Sequence, residues 1–207
     1  MKRSAQIHKS KGFTIIELLI ATLVFSTVLL VVTIGIIQIS RVYYKGINET
    51  DVQNTARSIM DTVTQGIQFS GADITETASP QPGNLQAFCI GNTQYSYRLG
   101  YQLVDSSPTG NQTITGLVSK NISACQSAAA TAGGKEFLSP KMRLSNLSVK
   151  ELVPGSLYKV TVRVAFGDDD LLNNPTSQNA SCKTTTGSQF CSVSELTSTV
   201  YRRVGTD

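Results

Sequence analysis

The chain begins with a polar, basic segment and then becomes apolar over a long run. From Phe13 to Ile39 the only charged residue is Glu17. As an α-helix this run would be about 40 Å long, against about 30 Å for the hydrocarbon core of a bilayer. It exceeds the apolar core of a secretory signal, so it predicts a membrane-spanning helix. The basic residues before it predict a cytoplasmic N-terminus, with everything after Ile39 outside.

Helical periodicity continues beyond the apolar run. Apolar residues recur at intervals of three or four, the pattern of a helix packed on one face; they are Val52, Ala56, Ile59, Met60, Val63 and Ile67. The pattern predicts one helix from about Phe13 to about Phe69, with Gly71 in the usual position after a helix end.

After a proline-containing loop at 72–84, the period changes to two. Alternating apolar and polar residues predict half-buried strands at Tyr95–Leu103, Val160–Phe166 and Leu196–Val204. A segment at Arg143–Val153 precedes the second of these, and Pro154–Gly155 between them predicts a hairpin. An antiparallel sheet with the helix across one face is the expected packing. Residues 121–135 and 167–191 are expected to be irregular.

Four cysteines follow the apolar run: Cys89, Cys125, Cys182 and Cys191. An even number without a Cys-x-x-Cys pair favours disulfides in an exported domain over four free thiols in a cytosolic protein. Three pairings are possible. We favour Cys182 with Cys191, which closes a short polar loop, and Cys89 with Cys125.

The formal charge of +4 comes from the start of the chain. The first twelve residues hold four basic residues and no acidic one. Of the eighteen basic residues in the chain, fourteen therefore lie beyond this segment, and they balance the fourteen acidic residues. A neutral remainder does not favour binding to nucleic acid or anionic lipid. Arg202 and Arg203 form no basic stripe, because adjacent strand residues face opposite sides. A nucleic-acid partner is therefore unsupported.

Side chains for catalysis or metal binding are scarce. The only histidine is His8, so the rest of the chain has no imidazole for a nucleophile or for a histidine zinc ligand. We expect no enzyme activity and no cofactor. Asp168, Asp169 and Asp170 would be the calcium candidates. Leu172 breaks the EF-hand spacing there, and an acidic turn in water is the more ordinary interpretation.

Glu17 is the unusual residue of the apolar run. One interpretation is an acid near the cytoplasmic end that reaches the interface. The other is an ion pair. A cut between Gly12 and Phe13 would create an α-amino group, positive at neutral pH, about one helical turn from Glu17. That amine would pair within its own chain or with a neighbouring helix.

The stretch "KGFTIIELLIATLVF" resembles the start of type IV prepilins and pseudopilins. The resemblance implies that Gly12 is the last leader residue read by a prepilin peptidase. It implies that Phe13 is the first mature residue and is N-methylated, and that Glu17 recruits and registers a subunit against the Phe13 amine of its neighbour. Other implied partners are further pilin subunits, an inner-membrane assembly platform and, before assembly, membrane lipid.

Three further features bear on the family. "ARSIMDTVTQGIQFSGAD" resembles the same helix of minor pilins and J-type pseudopilins. The apolar helix lacks the proline of well-known pilins. The nearest candidates for a weak point are Gly35 and hydroxyl residues, namely Ser26, Thr27 and Thr33. The cysteine-closed segment near the C-terminus resembles an exposed pilin surface, where partner contacts are expected.

Together these features predict an α+β, pilin-like fold whose long N-terminal helix, transmembrane in its first half, packs on an antiparallel sheet. The expected parts are a leader at 1–12, an assembly helix at 13–39, its amphipathic half at 40–70 and an exported domain at 71–207. The predicted function is a structural subunit of a type IV pilus-like filament. Alternatives are a type II secretion or competence pseudopilin, or a tip-located minor pilin that binds DNA or a surface. The expected location is the inner membrane as a single-pass protein, then an extracellular or periplasmic filament.

Overall fold

The computed structural model of the protein describes residues 12–71, 73–76, 84–126, 131–184 and 187–203. The chain divides into two units, Met1–Val42 and Tyr43–Asp207. One helix, α1 (Ile15–Phe69), begins in the first unit and continues into the second. Its extent agrees with the prediction from periodicity. Gly71 follows with φ +61°, the left-handed conformation common just after a helix.

In the first unit, the described residues from Gly12 to Val42 are all exposed. This part of α1 contains a stretch that is long and apolar enough to cross a membrane. The helix is continuous through Gly35, so the structure has no break at the predicted weak point.

In the second unit, α1 buries one face. Its buried residues are the six of the predicted apolar stripe: Val52, Ala56, Ile59, Met60, Val63 and Ile67. That prediction is confirmed.

The strands form two five-stranded sheets and a two-stranded ladder within the described residues. The first sheet has the order β1-β2-β3-β6-β7, with bounds β1 Ile74–Glu76, β2 Leu85–Ile90, β3 Thr93–Arg98, β6 Leu117–Asn121 and β7 Lys135–Glu136. The second has the order β12-β9-β8-β4-β5, with bounds β4 Gln102–Leu103, β5 Gln112–Thr113, β8 Met142–Val153, β9 Leu157–Phe166 and β12 Ser192–Tyr201. The ladder pairs β10 (Leu172–Asn173) with β11 (Ser181–Cys182).

Among the strands of the described residues, the pairing is antiparallel except between β4 and β5. The α+β class is confirmed, with two sheets where we expected one. The predicted hairpin is also present. β8 and β9 pair in antiparallel register, with Gly155 at φ +69° in the turn.

The prediction of a single strand at Tyr95–Leu103 is wrong. The chain leaves the first sheet after Arg98 and joins the second sheet at Gln102. Gly100 lies between them with φ +78°, and a Cβ there would approach the Thr176 Cα to 2.7 Å. A side chain therefore does not fit at this crossover.

Three other boundaries differ from the predictions. β12 starts at Ser192 and ends at Tyr201, and Val204 lies outside the described residues. The segment 167–191 is partly regular, because it holds the β10–β11 ladder and short 3₁₀ turns at Asp169–Leu171 and Ser188–Phe190. The predicted loop at 72–84 contains β1, which pairs with β2, although residues 72 and 77–83 lie outside the described ones.

One main hydrophobic core joins the buried face of α1 to both sheets. Phe88 of β2 and Tyr95 of β3 stack with ring centroids 5.0 Å apart. The Tyr95 hydroxyl lies 3.4 Å from the Thr62 carbonyl on α1. From the second sheet, Leu144 and Val162 are fully buried in the same core.

Two disulfides join the ends of strands to nearby loops. Cys89 on β2 is bonded to Cys125, and Cys182 on β11 to Cys191 just before β12. The described part of the chain contains no free cysteine.

Candidate assembly site

The start of α1 is closed by a reciprocal pair of side chains. Glu17 Oε2 accepts a hydrogen bond from the Thr14 backbone N–H at 2.9 Å and another from the Thr14 hydroxyl at 2.8 Å. The Glu17 N–H donates to Thr14 Oγ1 at 3.3 Å. This is a capping box, in which residues three apart satisfy N–H groups that a helix start leaves without partners. A carboxylate in the first turn also interacts favourably with the helix dipole.

The residues on either side of the expected cleavage point are accessible. Phe13 is 83% exposed. A Cβ added to Gly12 would meet no atom within 4 Å. The described part of the fold therefore gives no steric reason for glycine at this position.

The hydroxyl groups along the first unit bond to their own helix. Each donates to a carbonyl three or four residues earlier, at 2.7–3.0 Å; the donors are Thr22, Ser26, Thr27, Thr33 and Ser40. Polar groups satisfied in this way cost less in an apolar environment. The predicted weak points are therefore hydrogen-bonded within an unbroken helix.

The acidic cluster that we considered for calcium is tied to basic and amide groups. Asp168 accepts a hydrogen bond from Gln102 Nε2 at 2.9 Å and forms an ion pair with Lys141 at 3.3 Å. The Gln102 hydrogen bond, with help from Lys141, lowers the pKa of the Asp168 carboxyl, although partial burial opposes the shift.

Asp169 forms an ion pair with a buried arginine. Its carboxylate lies 2.7 Å from Nη1 of Arg143, whose side chain is 0% exposed. Arg143 Nη2 also donates to the Gly167 carbonyl at 3.0 Å. Asp168 and Asp169 thus hold the start of the segment 167–191 against β4 and β8. Across the described residues, no group of three side chains is arranged to hold a metal ion.

The adjacent arginines near the C-terminus do not form a basic stripe. Arg202 is buried, 2.9 Å from Asp73 and 2.9 Å from the Tyr158 hydroxyl. The Arg203 guanidinium lies 5.9 Å from the centre of the Phe69 ring. Arg202 is thus committed to internal contacts.

Sequence reasoning missed two residues of these sites. Thr14 was detectable, because Thr-x-x-Glu before an apolar run is the signature of a capping box. Arg143 was not, because an isolated arginine in a strand is usually solvated and its burial depends on Asp169 and Gly167, far along the chain.

Comparison with known families gives one match. Residues 7–33 match the model described as the prokaryotic N-terminal methylation motif. The match includes Gly12, Phe13 and Glu17 and ends within the apolar part of α1. Comparisons with curated proteins and with solved structures give no significant match.

Proposed function

We propose that the chain, which matches type IV prepilin-like proteins over residues 7–33, is a structural subunit of a type IV pilus-like filament. Prepilin peptidase cuts it after Gly12 and methylates the Phe13 amine. The apolar half of α1 anchors the subunit in the membrane and then exchanges lipid for the helices of other pilin subunits at the assembly platform. The methylation motif is the observation that carries this proposal.

The partners of Glu17 before and after cleavage support a role in assembly. In the uncut chain, Thr14 supplies two hydrogen bonds to the Glu17 carboxylate. These bonds reduce the cost of placing a carboxylate near the membrane. After cleavage, the Phe13 amine provides a cation next to the same carboxylate or to that of a neighbouring subunit. Charge-assisted hydrogen bonds are stronger than neutral ones, and more so away from water.

The part outside the membrane is a display domain in this proposal. Its two disulfides suit an oxidising compartment. Its acidic cluster and Arg202 are used in internal ion pairs. We therefore favour assembly over binding of nucleic acid. A pilus subunit and a pseudopilus subunit would use the same N-terminal mechanism.

The N-terminal mass of the protein from its native cells tests the proposal. The expected result is a chain that starts at Phe13 and carries one added methyl group. A chain that keeps Met1 would overturn the proposal, because Glu17 would then have no amine beside it and the protein would be an anchored exported domain.

A further inference from the structure

An aromatic surface lies at the start of the second unit. Tyr44 on α1 and Phe190 in the cysteine-closed segment face each other, with ring centroids 5.8 Å apart. Both are about half exposed to solvent, Tyr44 at 50% and Phe190 at 45%. Beside them is an open groove of about 440 Å³ that is also lined by Phe166 and Leu171. We call these four residues the Tyr44–Phe190 surface.

Phe190 is held in its exposed position by several constraints. It ends the 3₁₀ turn Ser188–Phe190, and the next residue, Cys191, is bonded to Cys182. Asn48 Nδ2 on α1 donates to the Gln189 carbonyl at 3.1 Å. Phe190 is thus a fixed part of a contiguous apolar patch, and exposed patches of this kind mark interaction sites.

The position of Tyr44 in the chain indicates the partner. After Glu17 the next charged residue is Arg41, and the uncharged run Leu18–Ser40 makes about 34 Å of helix. That length matches a hydrocarbon core of about 30 Å crossed at a modest tilt. Tyr44 follows Ser40 by about 6 Å of helix rise, and each headgroup layer is about 5–7 Å thick. Chain length alone therefore places Tyr44 among lipid headgroups, where tyrosine is enriched.

The charges around the groove fit a shallow contact. Lys141 and Asp168 form an exposed ion pair in its wall. Charged groups of this kind are tolerated in the headgroup layer and costly in the hydrocarbon. The exposed Lys45, next to Tyr44, adds attraction to anionic headgroups.

We propose that the Tyr44–Phe190 surface rests on the headgroups of the outer leaflet before assembly, so that Phe190 gives the exported domain a second lipid contact besides α1. The inference depends on the membrane insertion proposed above. It adds a surface of the exported domain that the membrane helix alone does not require.

The absence of tryptophan from the chain makes a direct test feasible. Phe190→Trp places a single indole in the surface. Tyr201→Trp places one at the other end of β12, and this matched control is also an exposed aromatic position. Each full-length variant is inserted in phosphatidylethanolamine and phosphatidylglycerol vesicles. The acyl chains are brominated either near the glycerol or near the terminal methyl group.

For Phe190→Trp, the expected result is a strong loss of indole fluorescence with bromine near the glycerol and a smaller loss with bromine near the methyl end. For Tyr201→Trp, little loss is expected with either lipid. Equal quenching of the two variants would overturn the inference. A second result would also overturn it: an unquenched indole in Phe190→Trp whose emission is blue-shifted, with a shift that grows with the protein-to-lipid ratio. In that case a second copy of the chain would occupy the surface. If Phe190→Trp does not form both disulfides, Ser188→Trp in the same turn replaces it.

The two proposals fail separately. The quenching experiment needs insertion but neither cleavage nor assembly. A native chain that starts at Phe13, together with an unquenched indole in Phe190→Trp, would overturn only the headgroup contact. A quenched indole in Phe190→Trp, together with a native chain that keeps Met1, would overturn only the filament function.

Discussion

Thr14 and Glu17 bond to each other in both directions: the carboxylate accepts the Thr14 N–H at 2.9 Å, and the Thr14 hydroxyl oxygen accepts the Glu17 N–H at 3.3 Å. One acid thus has two separable properties. Its oxygen atoms cap the helix, and its negative charge is available to a cation. Substitutions that remove one property and keep the other can distinguish capping from assembly.

We expect both Glu17→Ala and Glu17→Gln to leave membrane insertion intact and to reduce incorporation into filaments. Glutamine keeps an oxygen that accepts the Thr14 N–H but has no charge to pair with the Phe13 amine. The measurement is the fraction of mature protein in sheared filaments relative to the membrane fraction. Thr14→Val serves as the control, since it removes the capping hydroxyl, worth about 1 kcal/mol of helix stability, and keeps the acid. Normal incorporation of Glu17→Gln would mean that capping, and not charge, is the requirement.

The three consecutive aspartates should differ sharply in their effect on stability. Asp169→Ala leaves the buried Arg143 without its carboxylate partner, and we expect a loss of about 3 kcal/mol in the free energy of unfolding. Asp170→Ala, one residue away and without a side-chain partner among the described residues, should change it by about 0.5 kcal/mol or less. Urea unfolding of the full chain in detergent, followed by near-ultraviolet circular dichroism, measures both. Similar losses for the two variants would contradict the ion-pair assignment, and calcium-dependent unfolding of the unmodified chain would restore the metal hypothesis.

The two disulfides should contribute unequally. The cysteines are 36 residues apart in one pair and 9 in the other. On the chain-entropy model, replacing both members by alanine should cost about 4 kcal/mol for Cys89–Cys125 and about 2.5 kcal/mol for Cys182–Cys191. Unfolding free energies of the two double variants test the order. A larger loss for the shorter loop would indicate that this bond stabilises mainly through native contacts around Phe190.

Two tyrosines should make the second unit sensitive to alkali. Burial raises the pKa of Tyr95 to about 12, and burial with the nearby Glu76 carboxylate raises the pKa of Tyr97 to about 12. In the unfolded chain both would titrate near pH 10. The folded state therefore keeps its full stability below about pH 10 and loses it as pH rises further, because the unfolded chain releases protons first.

Tyrosinate absorbance follows this directly, because the chain has seven tyrosines and no tryptophan. Tyr95 and Tyr97 should titrate well above pH 10, near their raised pKa values or together with unfolding. Tyr97→Phe should remove one late proton. A single transition near pH 10 for all seven, with the fold intact, would contradict their burial.

The long helix and the β8–β9 hairpin could be predicted because their signals are local. The stripe from Val52 to Ile67 repeats at helical intervals, and Pro154–Gly155 has turn chemistry between two alternating runs. The β2–β3 hairpin had a local signal too, since Gly91–Asn92 lies between Ile90 and Thr93. That signal was missed because β2 is a short, continuously apolar run.

The division into two sheets depends on contacts between distant residues. Gln94, Ser96 and Gln102 are buried although they are polar. Two of these have partners far away in the chain: Gln94 donates to the Gln126 carbonyl and Gln102 to Asp168. An alternating pattern cannot show that the chain changes sheets at Gly100. The backbone of Thr176, far along the chain, leaves no room for a side chain at that position. Arg143 is hidden from sequence reasoning for the same reason.

Five hydroxyl groups along the apolar part of α1 donate to carbonyls of their own helix; they are those of Thr22, Ser26, Thr27, Thr33 and Ser40. Apart from the Gln38 amide, the described residues from Leu18 to Ser40 therefore offer a neighbouring helix mainly shape and dispersion contacts, because their hydroxyl hydrogens are already used. Sliding one such helix against another breaks few directional bonds, while a shift at Glu17 separates charges. A filament built on this helix would have its subunit spacing set at one end of each helix and would bend with little resistance along the rest, which is the mechanical behaviour of a flexible fibre under shear.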